Sequence, residues 1–214
     1  MVICVAGPIA AGKNFVCSIL EERGFFCLDA DQEIHKIIGD KQAEILSRFS
    51  QIAASRGINL RAADGSLDRR ALGKLLFKDS ALLAEQEKIL YPEFVARVQK
   101  LIDANKEASQ KPKGFTDQEG GGSLGLADVR GLAINAALLY KTPSLLRQCK
   151  KIIYVDAPLL VRAWRIRRRD RLPLLQIIRR IKSQKGLLQE YKRFASDYGI
   201  EMVVVRNWGK RLSF

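Results

Sequence analysis

An α/β fold, with a parallel sheet covered by helices on both faces, is predicted by three observations. The apolar runs at residues 2–5, 25–28, 152–155 and 202–205 are near-continuous rather than alternating, as in strands buried on both sides. Helical patterns separate these runs. The first run leads directly into Gly7-Pro8-Ile9-Ala10-Ala11-Gly12-Lys13-Asn14, a glycine-bounded segment that closes on a lysine where a helix begins.

The first strand is expected over residues 2–6. In a strand, glycine loop and helix of this kind, loop N–H groups point inward at an anion. The helix N-terminus adds partial positive charge, and Lys13 reaches the β- and γ-phosphates of a nucleotide. The match to G-x-x-x-x-G-K-[ST] is complete except at the last position, where Asn14 stands. The first helix is expected over residues 13–22, with Val16, Ile19 and Leu20 on one face, and it stops at Arg23-Gly24. Phe25-Phe26-Cys27-Leu28 reads as the second strand and ends in Asp29-Ala30-Asp31.

From residue 32 to about 101 the pattern is helical, with Leu72, Leu75, Leu76, Leu82 and Leu83 at helical spacing. Pro92 interrupts it beside Tyr91, and no strand-like run intervenes, so a helical insertion between core strands is expected. Residues 105–125 contain Lys111-Pro112-Lys113-Gly114 and Gly120-Gly121-Gly122-Ser123, and read as a long flexible surface loop. A strand-like run resumes over 131–139. The strand at 152–155 ends in Asp156-Ala157-Pro158, and helices follow around Trp164 to Arg169, over 174–182 and over 187–194. The last strand, 202–205, ends in Arg206-Asn207. In such a sheet ligands sit at the carboxyl ends of the strands. The glycine segment, Asp29, Asp31, Asp156 and Asn207 all fall there. Trp164 and Trp208 read as packing residues.

The length of 214 residues suits one α/β domain with a small inserted subdomain. The formal net charge of +14 calls for acidic partners: polyphosphate ligands, nucleic acid or an anionic membrane surface. No apolar run approaches the length of about 20 residues that spans a bilayer. The chain starts in its first strand without the basic region of a signal peptide. Cys4, Cys17, Cys27 and Cys149 show no C-x-x-C spacing and read as buried free thiols of a reducing, cytoplasmic compartment. No zinc-ligand spacing and no G-x-S-x-G element are present. No aromatic-interleaved basic strand or helix-turn-helix is present either, so neither nucleic acid nor membrane is an expected partner.

The ordered segments resemble dephospho-coenzyme A kinases. The phosphate loop is followed by Leu28-Asp29-Ala30-Asp31 and Ile34-His35. Asp64-Gly65-Ser66-Leu67-Asp68-Arg69-Arg70-Ala71-Leu72 is similar to that family's D-G-x-L-D-R-x-x-L, with Leu76-Phe77-Lys78-Asp79 after it. Ile153-Tyr154-Val155-Asp156-Ala157-Pro158 is similar to its strand before the lid, and Arg165 through Arg169-Asp170 to its lid arginines. Arg180-Ile181-Lys182-Ser183-Gln184 is similar to R-I-x-x-Q, and Asn207-Trp208-Gly209 to a C-terminal Asn-x-Gly. Asn14 stands in place of Ser or Thr, and Tyr91-Pro92 in place of His-Pro. Asn135 through Lys141 occupies the place of D-x-P-L-L-F-E, without its two acidic positions and its proline.

The resemblance implies a P-loop kinase-like sheet. Residues 1–31, 128–160 and 184–214 would form the nucleotide-binding core and 32–104 a helical subdomain for a coenzyme A-type acceptor. Residues 105–127 would be the flexible loop and 161–183 a helical lid. It implies an enzyme that uses ATP and Mg²⁺ to phosphorylate the 3′-hydroxyl of dephospho-coenzyme A, as a monomer or small homo-oligomer. The expected nucleotide-binding set is Gly7, Pro8, Ile9, Ala10, Ala11, Gly12, Lys13, Asn14, Phe15 and Asn207, with Asn14 as the metal candidate. Lys13, Asp31, Arg165 and Arg169 are the catalytic candidates. Asp31 would orient the acceptor hydroxyl and take its proton, and the two arginines, four residues apart on one helix face, would clamp the phosphoryl group. Asp31, His35 and Arg69 are the acceptor-binding candidates. Two other readings share these features: another small P-loop kinase, or a degenerate nucleotide-binding protein with a basic face, which Asn14, Asn135 and Lys141 favour.

Overall fold

Five apolar runs become strands β1 (Val2–Ala6), β2 (Phe25–Asp29), β3 (Gly131–Asn135), β4 (Lys151–Asp156) and β5 (Glu201–Asn207), and a short β6 (Leu212–Ser213) follows. The structure, a computed structural model, describes residues 1–77, 79–110, 130–208 and 212–213. The sheet order is β2-β3-β1-β4-β5-β6, parallel throughout except for β6, which runs antiparallel to β5. Every residue of β1 and β3 is buried, as the near-continuous apolar runs require of central strands.

Alternate residues serve opposite faces. Ile3 and Val5 of β1, with Ala133 and Val155, bury Val16, Cys17 and Leu20 of α1 (Lys13–Glu22). On the other face Tyr154 of β4 meets Tyr191 of α9 (Leu187–Tyr198), with ring centroids 5.8 Å apart. The expected α/β sheet with helices on both faces is therefore present. Parallel register gathers the strand carboxyl ends at one edge: Val5 lies opposite Asn135, Asn135 opposite Asp29, and Asp156 opposite Arg206.

The chain divides into two units, Met1–Ala30 with Gln99–Phe214, and Asp31–Val98. The first carries the sheet, α1, α6 (Pro143–Leu146), α7 (Leu159–Asp170), α8 (Leu174–Lys182) and α9. The second carries α2 (Ala30–Asp40) from its second residue, α3 (Gln42–Ser55), α4 (Arg69–Leu76) and the first part of α5 (Ser80–Gln110). Within the second unit the Asp68 carboxylate caps α4, accepting from the N–H groups of Arg70 at 2.8 Å and Ala71 at 3.0 Å. Arg97 of α5 donates to Glu93 at 2.8 Å, to Glu33 at 3.1 Å and to Asp40 at 2.6 Å, which ties α5 to α2. Ile37, Ile45, Phe49, Leu75 and Val98 are among its buried apolar residues.

Several expectations are corrected. Pro92 does not break the helix: α5 runs through it. The proline removes one N–H bond, but Leu90, Phe94, Val98 and Ile102 are buried on the other side and hold the helix. The same helix reaches Gln110, so residues 105–110 are helical rather than loop, and residues 111–127 of the expected loop lie outside the described residues. The strand-like run at 131–139 leaves the sheet after Asn135. The buried Tyr191 hydroxyl accepts from Leu139 N at 3.0 Å and donates to Ala136 O at 3.4 Å or Ala137 O at 3.2 Å, which draws this segment into a turn ending in a 3₁₀ helix, Leu139–Lys141. Trp164 and Trp208 are exposed, at 59% and 64%, and Arg168 lies over the Trp164 ring, 5.5 Å from its centroid. Cys27 is only half-buried, its Sγ donating to Cys17 O at 3.4 Å, whereas Cys4, Cys17 and Cys149 are buried free thiols.

Candidate active site

The loop after β1 is shaped by close approach of backbone to its neighbours. Gly7 has φ +143°, and a Cβ there would stand 2.2 Å from the carbonyl oxygen of Val155 in β4. Gly12, immediately before α1, has φ +101°, and a Cβ there would stand 2.1 Å from Nδ2 of Asn207. Only glycine satisfies both the angle and the space at these positions. Between them Ala11 N–H donates to Pro8 O at 3.2 Å, and Ala10 takes the left-handed conformation, φ 59°. The Lys13 ammonium folds back over this loop, donating to Gly7 O at 3.0 Å and to Pro8 O at 3.4 Å. A backbone loop, a helix N-terminus and an ammonium thus converge, which is the donor set for a polyphosphate.

The loop is held from outside by side chains of α7, the α8 end and β5. Arg165 Nη1 donates to Ala10 O and Ala11 O, both at 3.1 Å, and its Nη2 donates to Asn207 Oδ1 at 3.0 Å. Asn207, 3% exposed, donates in turn to Ala11 O at 3.0 Å. Arg162 Nε donates to Ile9 O at 3.0 Å, and Gln184 Oε1 accepts from Ile9 N–H at 2.6 Å. Ile9 and Ala10 also pack against Ile166, Ile177 and Ile181. Burial pulls the Arg162 guanidinium below its usual pKa, opposed by Asp156 and then Tyr154. The guanidinium still carries its charge at neutral pH.

The structure therefore brings Gly7, Ile9, Ala10, Ala11, Gly12, Lys13, Arg165 and Asn207 into one bonded constellation. Phe15, also expected in the nucleotide set, lies on α1 and is 52% exposed. Arg169 lies one turn along α7 and is paired with Asp170, Nε to Oδ1 at 2.6 Å and Nη2 to Oδ2 at 3.1 Å. Arg180 of α8 reaches the same carboxylate at 3.2 Å. In the other unit, Asp31 stands exposed in the first turn of α2, His35 is exposed one turn on, and Arg69 is exposed at the first position of α4. Sequence reasoning missed Arg162 and Gln184 as supports of the loop. Arg162 precedes Arg165 by three residues and so shares its helix face, the one signal available for it.

The model of the dephospho-CoA kinase (CoaE) family matches residues 1–112. The dephospho-CoA kinase of Treponema denticola is 33% identical over 208 residues, which covers 97% of this chain and 82% of that protein. This chain belongs to the dephospho-CoA kinase family. Among solved structures, a Thermus thermophilus protein superposes with a TM-score of 0.69 at 23% identity, covering 98% of this chain and 90% of the other. The dephospho-CoA kinase from Campylobacter jejuni gives 0.56 at 20% identity, covering 98% and 89%. Both share the fold.

For a kinase of this fold the usual magnesium ligands are a Ser or Thr after the loop lysine and an Asp at the end of a neighbouring strand. Here the two corresponding places, after Lys13 and at the end of β3 beside β1, hold asparagines. Asn135 Nδ2 donates to Asn14 Oδ1 at 2.9 Å. Among the described residues no group of three or more His, Cys, Asp or Glu stands close enough to hold a metal. Two neutral carboxamides already bonded to each other do not fit a magnesium ion held by protein oxygens.

Proposed function

We propose that this kinase transfers the γ-phosphoryl group of ATP to the 3′-hydroxyl of dephospho-coenzyme A. The observation that carries the reading is the loop of residues 7–13, held by Arg162, Arg165, Gln184 and Asn207, in a chain of this family. In this reading ATP arrives with its magnesium ion, and the loop N–H groups and Lys13 take its phosphates. Arg165 keeps the loop in its receiving shape, and Arg169, at the end of α7, stabilises charge on the transferring group when freed from Asp170. The acceptor oxygen forms the new O–P bond as the bond to the β-phosphate oxygen breaks and ADP leaves. Asp31 takes the hydroxyl proton. His35, on the same face of α2 as Asp31, and Arg69 bind the acceptor.

Residues 1–31, 128–160 and 184–214 form the nucleotide core in this proposal, 32–104 the acceptor subdomain and 161–183 the lid. No helix of the described residues is long and apolar enough to cross a membrane. In this proposal the protein is a cytoplasmic monomer or small homo-oligomer with small-molecule substrates.

The test is a coupled assay of ADP release with and without dephospho-coenzyme A, run beside ATP binding. Release that depends on the acceptor is expected. Asp31→Asn should bind ATP as the wild type does and turn over at least about 100-fold more slowly, the low end of general-base effects. ATP binding without acceptor-dependent release would favour the degenerate nucleotide-binding reading. Collapsed ATP affinity in Asp31→Asn, with turnover per complex unchanged, would remove Asp31 from the proton-accepting role.

A further inference from the structure

We infer that the Asn14–Asn135 pair replaces the metal-binding corner of the phosphate loop, so that this kinase binds ATP with little dependence on magnesium and leaves the ion to the nucleotide's own oxygens. The inference rests on the phosphate-loop reading of residues 7–14. Position 14 is the second residue of α1, and position 135 closes β3, whose neighbour β1 feeds the loop with Val5 opposite Asn135. These are the two places from which a P-loop fold supplies a hydroxyl and a carboxylate to magnesium. Both depart from that pattern, and both hold the same residue type.

The chemistry of the pair argues against a shared metal. Magnesium takes hard, preferably anionic oxygens in near-octahedral geometry and gives up water reluctantly. The pair offers no anion. The Asn135 amide NH₂ meets the Asn14 amide oxygen, a pairing that survives only if both carboxamides turn together, and it is neutral in both senses. Asn135 is 6% exposed, so its NH₂ group needs a protein partner. Opening the pair to admit a cation would strand that donor and point it at a positive charge. In its place the hydrogen bond ties the first turn of α1 to the end of β3. The positive charge at the loop then comes from Lys13, which lies across it, and from Arg162 and Arg165, which are bonded to it.

The experiment is calorimetric titration of the full chain with ATP, in excess magnesium and in EDTA. For the wild type the two dissociation constants should agree within about threefold, well inside the tenfold step that one protein-held ligand set would contribute. The variant carrying Asn14→Ser and Asn135→Asp together should gain magnesium dependence, binding ATP at least about tenfold tighter with the ion than without. Without nucleotide, Asn14→Ala and Asn135→Ala should each lower the melting temperature, and the double change should lower it little further than the larger single change. Wild-type ATP binding that tightens tenfold or more with magnesium overturns the inference, and loss of that dependence in Asp29→Asn would identify Asp29, opposite Asn135 in the sheet, as the ligand instead. No ATP binding in either medium would instead overturn the phosphate-loop reading itself. The wild-type comparison needs no variant and stands even if the double change fails to fold.

Discussion

At the scale of single residues, the loop is a set of backbone atoms held by a few long side chains. In the proposed reaction Lys13 is the charge that a phosphoryl group meets. Lys13→Ala should leave the melting temperature within a few degrees of wild type and cost at least about 3 kcal/mol of transition-state stabilisation, read as a fall in kcat/KM of more than 100-fold. Near-normal turnover would sink its assigned role. In the same reading Arg165 is a positioning residue. Its guanidinium joins Ala10 O, Ala11 O and Asn207 Oδ1, so Arg165→Ala should raise KM for ATP more than it lowers kcat. It should also lower stability by about 1–3 kcal/mol, the cost of leaving Ala10 O and Asn207 Oδ1 unmatched, while Ala11 O keeps its bond from Asn207. Arg165→Lys, which keeps the charge but not the fork, should recover only part of the loss. An effect on kcat alone, with KM unchanged, would argue that the guanidinium touches the phosphoryl group instead. The glycines and the lysine of this loop were legible in the chain because their spacing is local. The contacts of Arg162 and Gln184 were not, because the carbonyl and N–H of Ile9 that they meet lie 153 and 175 positions away.

At the scale of elements, α7 and α8 are joined by one carboxylate. Asp170 accepts from Arg169 on its own helix and from Arg180 on the next. The hydrogen-bonded Arg169 first, then its charge and that of Arg180, hold the Asp170 carboxyl below the usual aspartate value of 3.8. A carboxyl depressed in the folded state stabilises it above the unfolded pKa, and the gain is lost as pH falls through the folded one. Asp170→Asn should therefore lower the melting temperature at neutral pH, and the gap to wild type should close as pH falls below 3.8 and through the depressed folded value. A gap that persists in strong acid would mean that the side chain acts through shape rather than charge. Helix α5 shows how elements escape local rules. Pro92 predicts a break, yet buried residues on both sides of it carry the helix from Ser80 to Gln110. The run at 131–139 shows the reverse: its apolar residues continue past Asn135, but the Tyr191 hydroxyl takes the backbone out of the sheet.

At the scale of the whole molecule, the chain carries a formal charge of +14, and the proposed ligand is a polyanion. Screening shrinks from about 10 Å at 0.1 M salt to about 3 Å at 1 M, so the general field should fade while contacts at the loop remain. KM for ATP should rise at least about threefold over that range, with kcat changing less. An unchanged KM would assign the positive charge to solubility rather than to nucleotide capture.

By itself the sequence determined the sheet's character, the loop and the family, because each rests on short-range signals: unbroken apolar runs, glycine and lysine at set spacing, and ordered motifs. Sheet order and the partners of Arg162, Arg165 and Asn207 were decided only by the tertiary structure, since they join residues distant in the chain. Position 14 shows the boundary between the two. The sequence marked Asn14 as a departure and, from its oxygen, suggested a metal ligand. Only folding brought it to Asn135, 121 residues away, and gave that oxygen a hydrogen bond to accept.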